Sequence, residues 1–482
     1  MPQFIGVTPC PSLQSHTENT KMTDNAIELQ DRRLLKHACY VNGEWTGAES
    51  GKLAPVVNPS TSSVVGRCPE FDAKDTEAAV QAASFAFNSY RKTSARERAR
   101  YLRKWYHLMV ENAEDLAHII TAENGKPIAD ARGEVNYAAS FLEWFSEEAP
   151  RVYGDSIPAT NPSCKVITLK EPVGVCSLVI PWNFPAAMMT PSRAGIPAGV
   201  VNVITASENT QLVGEILTTH PAIKKFSFTG STGVGKLLMK QCSSTIKKTS
   251  FELGGNAPFI VFEDADLEAA LRGLIASKFR ISGQTCVCAN RIFVHRGVYD
   301  RFAAMVTDAV KTFKVGDGFA AETTHGPLIH DRAVAKVASH VEDAVSKGAR
   351  VLHGGKPLPH LGPNYFDVTV LADMKPGMRL FHEETFGPVA ALFPFETEDE
   401  VICMANDCDV GLAGYFFSRD VNRCWRVSEA LEVGMVGVNL GAISDPAAPF
   451  GGVKQSGFGR EGSKYGVDEF TVTKMVMTGV KA

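Results

Sequence analysis

From Val173 onward, short runs rich in β-branched and apolar residues alternate with longer stretches of helical periodicity. The runs are Val173–Ile180, Val200–Ile204, Lys225–Phe228, Pro258–Phe262 and Arg291–His295. Short, nearly continuous apolar runs suit strands buried on both faces, and their alternation with helices predicts parallel α/β architecture. A later α/β unit takes in Val401–Asp407, Gly411–Ser418 and Met435–Val438, and a last strand is expected near Glu469–Val476. The first half reads differently. Cys39–Gly43 is strand-like and closes on an Asn42-Gly43 turn. Helical patterning covers Thr76–Asn88. Ser94 and Glu97 have capping-box spacing ahead of an amphipathic helix to about Glu111, and further helices are expected over Glu114–Glu123 and Ile128–Ser146. Ile157–Lys170 is polar, then alternating, as in a hairpin.

The 482 residues suffice for about two or three domains with a large core. A net charge of −4 with 21% charged residues leaves no electrostatic footprint for nucleic acid or an anionic membrane. The longest apolar runs fall far short of a bilayer span. Eleven cysteines are scattered singly apart from Cys286 and Cys288, which argues against a secreted disulfide framework and for a reducing compartment. Met1–Lys21 has no Arg, one Lys and no apolar core, and so matches neither a secretory signal nor a transit peptide. The expected location is the cytoplasm, with the mitochondrion as alternative. Residues 1–34 are expected to be a disordered extension, or the first twenty-one a misplaced start before Met22.

Three motifs carry chemistry: Pro181-Trp182-Asn183-Phe184, Phe251-Glu252-Leu253-Gly254-Gly255 and Gly283-Gln284-Thr285-Cys286-Val287-Cys288. Amide donor, carboxylate base and thiol nucleophile are the parts of acyl-thioester chemistry. Taken alone, each has a plainer reading: a cysteine is usually a small buried hydrophobe, and a Glu before Gly-Gly commonly ends a strand. A fourth motif, Phe228-Thr229-Gly230-Ser231-Thr232-Gly233-Val234-Gly235, runs from strand through glycine turn to helix, which aims backbone N–H groups at phosphate. It lacks G-x-G-x-x-G spacing and by itself fits an ordinary turn. A metal reading of the Cys286/Cys288 pair finds no partner ligands at suitable spacing, so no metal is expected.

With these motifs, from about Tyr40 to Ala482, the chain resembles the aldehyde dehydrogenase family, and within it the succinate-semialdehyde branch. The resemblance implies a Rossmann-like dinucleotide-binding domain (35–150 and 171–251), an α/β catalytic domain (252–450), and an oligomerisation hairpin (151–170) with a C-terminal strand (465–482). It implies a homo-oligomer, dimer or tetramer, acting on a small aldehyde with NAD or NADP. Cys286 would be the nucleophile. Asn183 and the Cys286 backbone N–H would hold the oxyanion, and Glu252 would activate the hydrolytic water. Ile180, Trp182, Gly230, Ser231 and Gly235 would line the dinucleotide, with Ser231 near the pyrophosphate. In Glu383-Glu384-Thr385-Phe386-Gly387-Pro388, Glu384 would take the nicotinamide-ribose hydroxyls and Phe386 would pack near the ring. Arg280 and Ser444 would hold a distal substrate carboxylate, and Cys286 with Cys288 would form a reversible disulfide. Pro449–Gly466 is also branch-like, whereas Ile281 stands where the family commonly has Asn. The implied reaction is oxidation of succinate semialdehyde to succinate, in 4-aminobutyrate degradation.

One interruption stands out. After Ala187-Met188-Met189-Thr190 the chain passes through Pro191-Ser192-Arg193 directly to Ala194-Gly195-Ile196-Pro197. Roughly thirty residues of the family pattern, one βα unit, are missing. With them go a ribose-binding lysine, its neighbouring acid and one substrate arginine, for which Arg193 is no aligned replacement. Loss of a central strand is expected to expose two sheet edges with nothing local to compensate. Two further readings therefore stand beside the enzyme: an inactive splice or gene-model variant acting only through mixed oligomers, and a cofactor-independent thiol esterase.

Overall fold

The computed structural model describes residues 3–9, 27–186 and 194–480. One sheet has eight strands in the spatial order Gly457–Phe458, Lys248–Glu252, Ile223–Thr229, Val175–Val179, Gln3–Pro9, Val201–Ala206, Cys39–Val41 and Glu44–Thr46. The run from Lys248–Glu252 to Val201–Ala206 is parallel throughout. A second sheet has seven strands, in the order Arg350–His353, Thr369–Ala372, Val389–Phe395, Ala289–His295, Ala257–Val261, Ala413–Phe417 and Met435–Val438. It is parallel except at its Arg350–His353 edge. The chain is thus a mixed α/β protein with parallel sheets, as the alternation of runs implies.

Burial explains why these strands read as continuous apolar runs. Every residue of Ala257–Val261 and Ala413–Phe417 is buried. Successive side chains feed opposite faces: Phe259, Ile292, Leu392 and Tyr415 join one core, and Ile260, Phe293, Phe393 and Phe416 the other.

The hairpin Cys39–Val41/Glu44–Thr46 turns on Asn42 (φ 52°) and Gly43 (φ 89°), the positive φ pair that a tight two-residue turn demands. Helices form over Ala73–Tyr90, Ala95–Glu111, Ala113–Asn124 and Ile128–Glu148. Ser94 accepts the Glu97 N–H, half of the expected capping box, while a reciprocal box forms at Asp72 and Asp75. A three-stranded sheet joins Ser156–Ile157, Cys164–Pro172 and Thr471–Gly479, the last two pairing antiparallel within the chain. Ile157, Ile167, Leu169, Met475 and Met477 are exposed on it.

Two expectations change. A disordered extension over 1–34 does not describe residues 27–34: Ile27 and Leu34 are buried, and the Gln30 and Asp31 N–H groups bond the Asp115 carboxylate. Nor does it describe Gln3–Pro9, which pairs with a strand on each side. The second change follows: the sheet centre is not left with two open edges, because Gln3–Pro9 stands between Val175–Val179 and Val201–Ala206. The remainder of the extension, residues 10–26, and the interruption near 190–194, apart from Ala194, lie outside the described residues. No described helix is long and apolar enough to cross a membrane, and no cluster of three or more His, Cys, Asp or Glu suited to a metal occurs among the described residues.

Candidate active site

Ile180-Pro181-Trp182-Asn183 leaves the carboxyl end of the Val175–Val179 strand, and Asn183 is buried. Its Nδ2 donates to the Gln284 carbonyl at 2.9 Å, which ties the Asn183 amide to the Cys286 loop. Its own carbonyl accepts from Lys126 Nζ at 2.7 Å. Lys126 is fully buried, ion-paired with Glu134 and stacked over the Phe184 ring, while Glu134 Oε1 accepts the Ala186 N–H at 3.0 Å. Residues 183–186 therefore hang on a buried ion pair that the motif reading missed. Its only local sign was Gly125-Lys126-Pro127 at the end of a helix.

The Glu252 and Cys286 motifs meet at the Gly254-Gly255 turn, and Asn183 joins them through Gln284. A Cβ on Gly255 would lie 2.2 Å from the Cys286 carbonyl oxygen, and one on Gly254 would lie 3.0 Å from Glu384 Oε2 and 3.2 Å from Thr232 Oγ1. Glycine at both positions thus lets the Glu252 strand, the Cys286 loop, the dinucleotide-type turn and Glu384 approach one another. Cys286 is half-buried. Burial and the carboxyl groups of Glu384, Glu252 and Glu461 push its thiol well above the ordinary range. Glu252 is buried, and its Oε2 has no hydrogen-bond partner. Burial, then Glu461, pushes its carboxyl up to about 10. Glu461, which the motif reading did not single out, is itself raised by burial.

At the glycine turn, Ser231 is the exposed N-cap of the helix Thr232–Cys242, and its hydroxyl makes no cap bond. Gly230 N donates to the Glu252 carbonyl at 3.0 Å. Gly235 is buried against Leu253, where a Cβ would stand 2.5 Å from that side chain, so the helix can lie close on the turn. Glu384 Oε1 accepts the Gly255 N–H at 3.1 Å, and burial raises its carboxyl to about 7. Trp182 and Phe386 meet edge to face at 5.9 Å, and Ile180 is half-buried at the head of the same segment. Uncapped helix N-terminus, glycine-cleared turn and aromatic pair form a site to which a dinucleotide is chemically suited.

Arg280 lies over the Phe184 ring at 5.5 Å with its guanidinium exposed, and Ser444 hydrogen-bonds Tyr137. Tyr137, also missed from sequence, thereby joins the two expected carboxylate contacts. Ile281 and Ser282 hold positive φ angles (51° and 54°), and the Asp130 carboxylate accepts the Ile281 N–H at 3.1 Å. A β-branched residue rarely adopts that conformation, whereas Asn does so readily, which gives the Ile281 departure a physical meaning. Cys288 is buried. Its Sγ accepts from Lys278 Nζ at 3.2 Å and donates to the Lys278 carbonyl at 3.3 Å.

These residues lie together in the fold, and the chain's similarities to known proteins assign its family. The aldehyde dehydrogenase family pattern matches residues 45–193 and 191–476. The chain belongs to the aldehyde dehydrogenase family. It is 53% identical to a succinate-semialdehyde dehydrogenase [NADP(+)] of Schizosaccharomyces pombe, covering 94% of this chain and 97% of the relative. It is 49% identical to a glutarate-semialdehyde dehydrogenase of Pseudomonas putida, covering 94% and 100%. The crystal structure of an Escherichia coli NADP-dependent enzyme superposes with a TM-score of 0.92 at 48% identity, over 94% of this chain and all of that one.

Proposed function

We propose that this chain oxidises succinate semialdehyde to succinate with NAD or NADP through a thioester on Cys286, with reduced affinity for the dinucleotide. The observation that carries the reading is the approach of Cys286 and Glu384 to the Gly254-Gly255 turn that follows Glu252, with Asn183 bonded to Gln284 on the Cys286 loop. In the reaction, the Cys286 sulfur adds to the aldehyde carbon while the Asn183 amide and the Cys286 N–H hold the oxyanion. Ser231, the helix N-terminus, Glu384, Trp182 and Phe386 would hold the dinucleotide, which when bound would serve as the hydride acceptor. The Glu252 carboxylate then takes a proton from the water that cleaves the thioester. Succinate and glutarate semialdehydes, for which the relatives are named, each carry a distal carboxylate, and Arg280 and Ser444 would receive it. The exposed apolar strip on the three-stranded sheet supports self-association as a homo-oligomer.

Reduced affinity rests on the interruption. The family match falls into two segments meeting at 191–193, and the fission-yeast alignment runs over 485 residues while using 94% of this chain, which leaves about thirty positions without counterpart. Calorimetry with NAD and NADP, beside a chain carrying a family-like insert after Thr190, tests this. Micromolar affinity and equal turnover in the uninserted chain would overturn it.

Replacing Arg280 with Leu should lower kcat/KM for succinate semialdehyde by about tenfold or more, as loss of a charge-assisted pair worth about 1.5–3 kcal/mol. An uncharged aldehyde of similar length should be little affected, and equal losses on both would assign Arg280 a structural role. Peroxide followed by dithiothreitol is expected to inactivate and then restore the chain. Recovery unchanged in Cys288→Ala would remove Cys288 from that switch.

A further inference from the structure

We propose that the space between the strands Val175–Val179 and Val201–Ala206 is a docking site for an extended peptide, and that the chain's own residues 3–9 occupy it in place of the missing strand. The register is defined on both sides. Gln3 to Val7 stand opposite Val175 to Val179, and Phe4 to Pro9 opposite Val201 to Ala206, all parallel. No described helix or strand lies between Val179 and Val201 in the chain, yet these strands are two positions apart in the sheet. Left empty, that position would strand two rows of backbone donors and acceptors at the centre of a buried sheet, a far greater cost than at a solvated edge. An added strand satisfies both rows at once.

The segment suits the place. Phe4, Ile5 and Val7 favour strands, and Pro9, which cannot donate to a ladder, comes last. The occupant is the same molecule. Residues 10–26 link Pro9 to Ile27, and seventeen residues reach up to roughly 55–60 Å when extended. Tethering also gives the segment an effective concentration in the millimolar range, above any working concentration of a second copy. The consequence reaches the active site, because Asn183 follows the Val175–Val179 strand by four residues. The inserted strand acts as a positioning element for the amide donor.

Hydrogen exchange on the full chain tests this independently of the proposed reaction. Amides of residues 4–8 should exchange at least about a hundredfold more slowly than an unstructured segment, at the same rate whatever the protein concentration. Exchange at the unstructured rate would overturn the proposal, and protection that vanishes on dilution would overturn docking within one molecule in favour of exchange between copies. Substituting Ile5→Pro with Val7→Pro should remove protection from 175–179 and 201–206 as well. Should that variant fail to fold, a chain begun at Met22 and titrated with a synthetic peptide of residues 1–12 should regain protection in both strands. Absence of any response to saturating peptide, together with full protection in the truncated chain, would also overturn the proposal.

Discussion

Cys286→Ala is expected to abolish aldehyde oxidation, whereas Glu252→Gln should keep the initial burst of reduced dinucleotide and lose steady turnover by about 10²–10⁴-fold. On the proposed mechanism, the first removes the atom that would bond substrate. The second leaves that atom in place and removes only the group proposed to activate water. Rapid-mixing absorbance separates the phases, and a Glu252→Gln chain with no burst but normal turnover would reverse the assignment. The pH dependence follows from the site's electrostatics. Burial and Glu461 raise the Glu252 carboxyl from 4.5 to about 10, so at neutral pH it is mostly protonated. A base acts only when ionised, so thioester cleavage should quicken as pH rises, by about tenfold per unit until near 10. Glu252→Gln should flatten that limb. The same shift acts on stability. Between 4.5 and about 10 the folded state holds a proton that the unfolded state releases, so the contribution of Glu252 is fully present below 4.5 and is lost as pH rises through about 10. Denaturant midpoints should therefore fall less steeply with pH in Glu252→Gln than in the parent.

What could be read from the sequence was what is local. Strands buried on both faces appear as apolar runs, and the Asn42-Gly43 turn announces itself by residue type. The motifs around Asn183, Glu252 and Cys286 each sit at a strand end or on a tight turn, so a short window held them whole. Their convergence was not local. It depends on Gly254 and Gly255 admitting neighbours from residues 286 and 384, and nothing within five residues of either glycine records that. Tyr137 escaped notice for a similar reason: on a helix surface it reads as packing, until Ser444 meets it across the fold. The Gln3–Pro9 strand was the hardest to see. Its short apolar run carries no local sign of pairing, because its partners lie some 170 and 200 residues away, on either side of the interruption.

Lys126→Met should be among the most damaging substitutions outside the reacting groups, and its effect should divide into two measurable parts. The ammonium has no exposed surface and holds Glu134 on one side and the Asn183 carbonyl on the other. Removing it leaves the Glu134 carboxylate buried without a counter-charge, which costs about 3–5 kcal/mol. It also frees residues 183–186, whose carbonyl and N–H anchors are this pair. A displacement of about 1 Å at the amide donor is enough to lower turnover roughly a hundredfold. The double variant Lys126→Met/Glu134→Leu separates the effects. Exchanging both charges for apolar groups should recover most of the stability, since a buried pair contributes little over well-packed hydrophobes. It cannot restore the hydrogen bond to the Asn183 carbonyl, so kcat should stay low while KM changes little, the pattern of an interaction made chiefly in the transition state. Denaturant unfolding and steady-state kinetics on the same preparations decide the matter. A double variant that regained both stability and kcat would show that the pair only holds the fold together, and that Asn183 is positioned by its 2.9 Å bond to Gln284 alone.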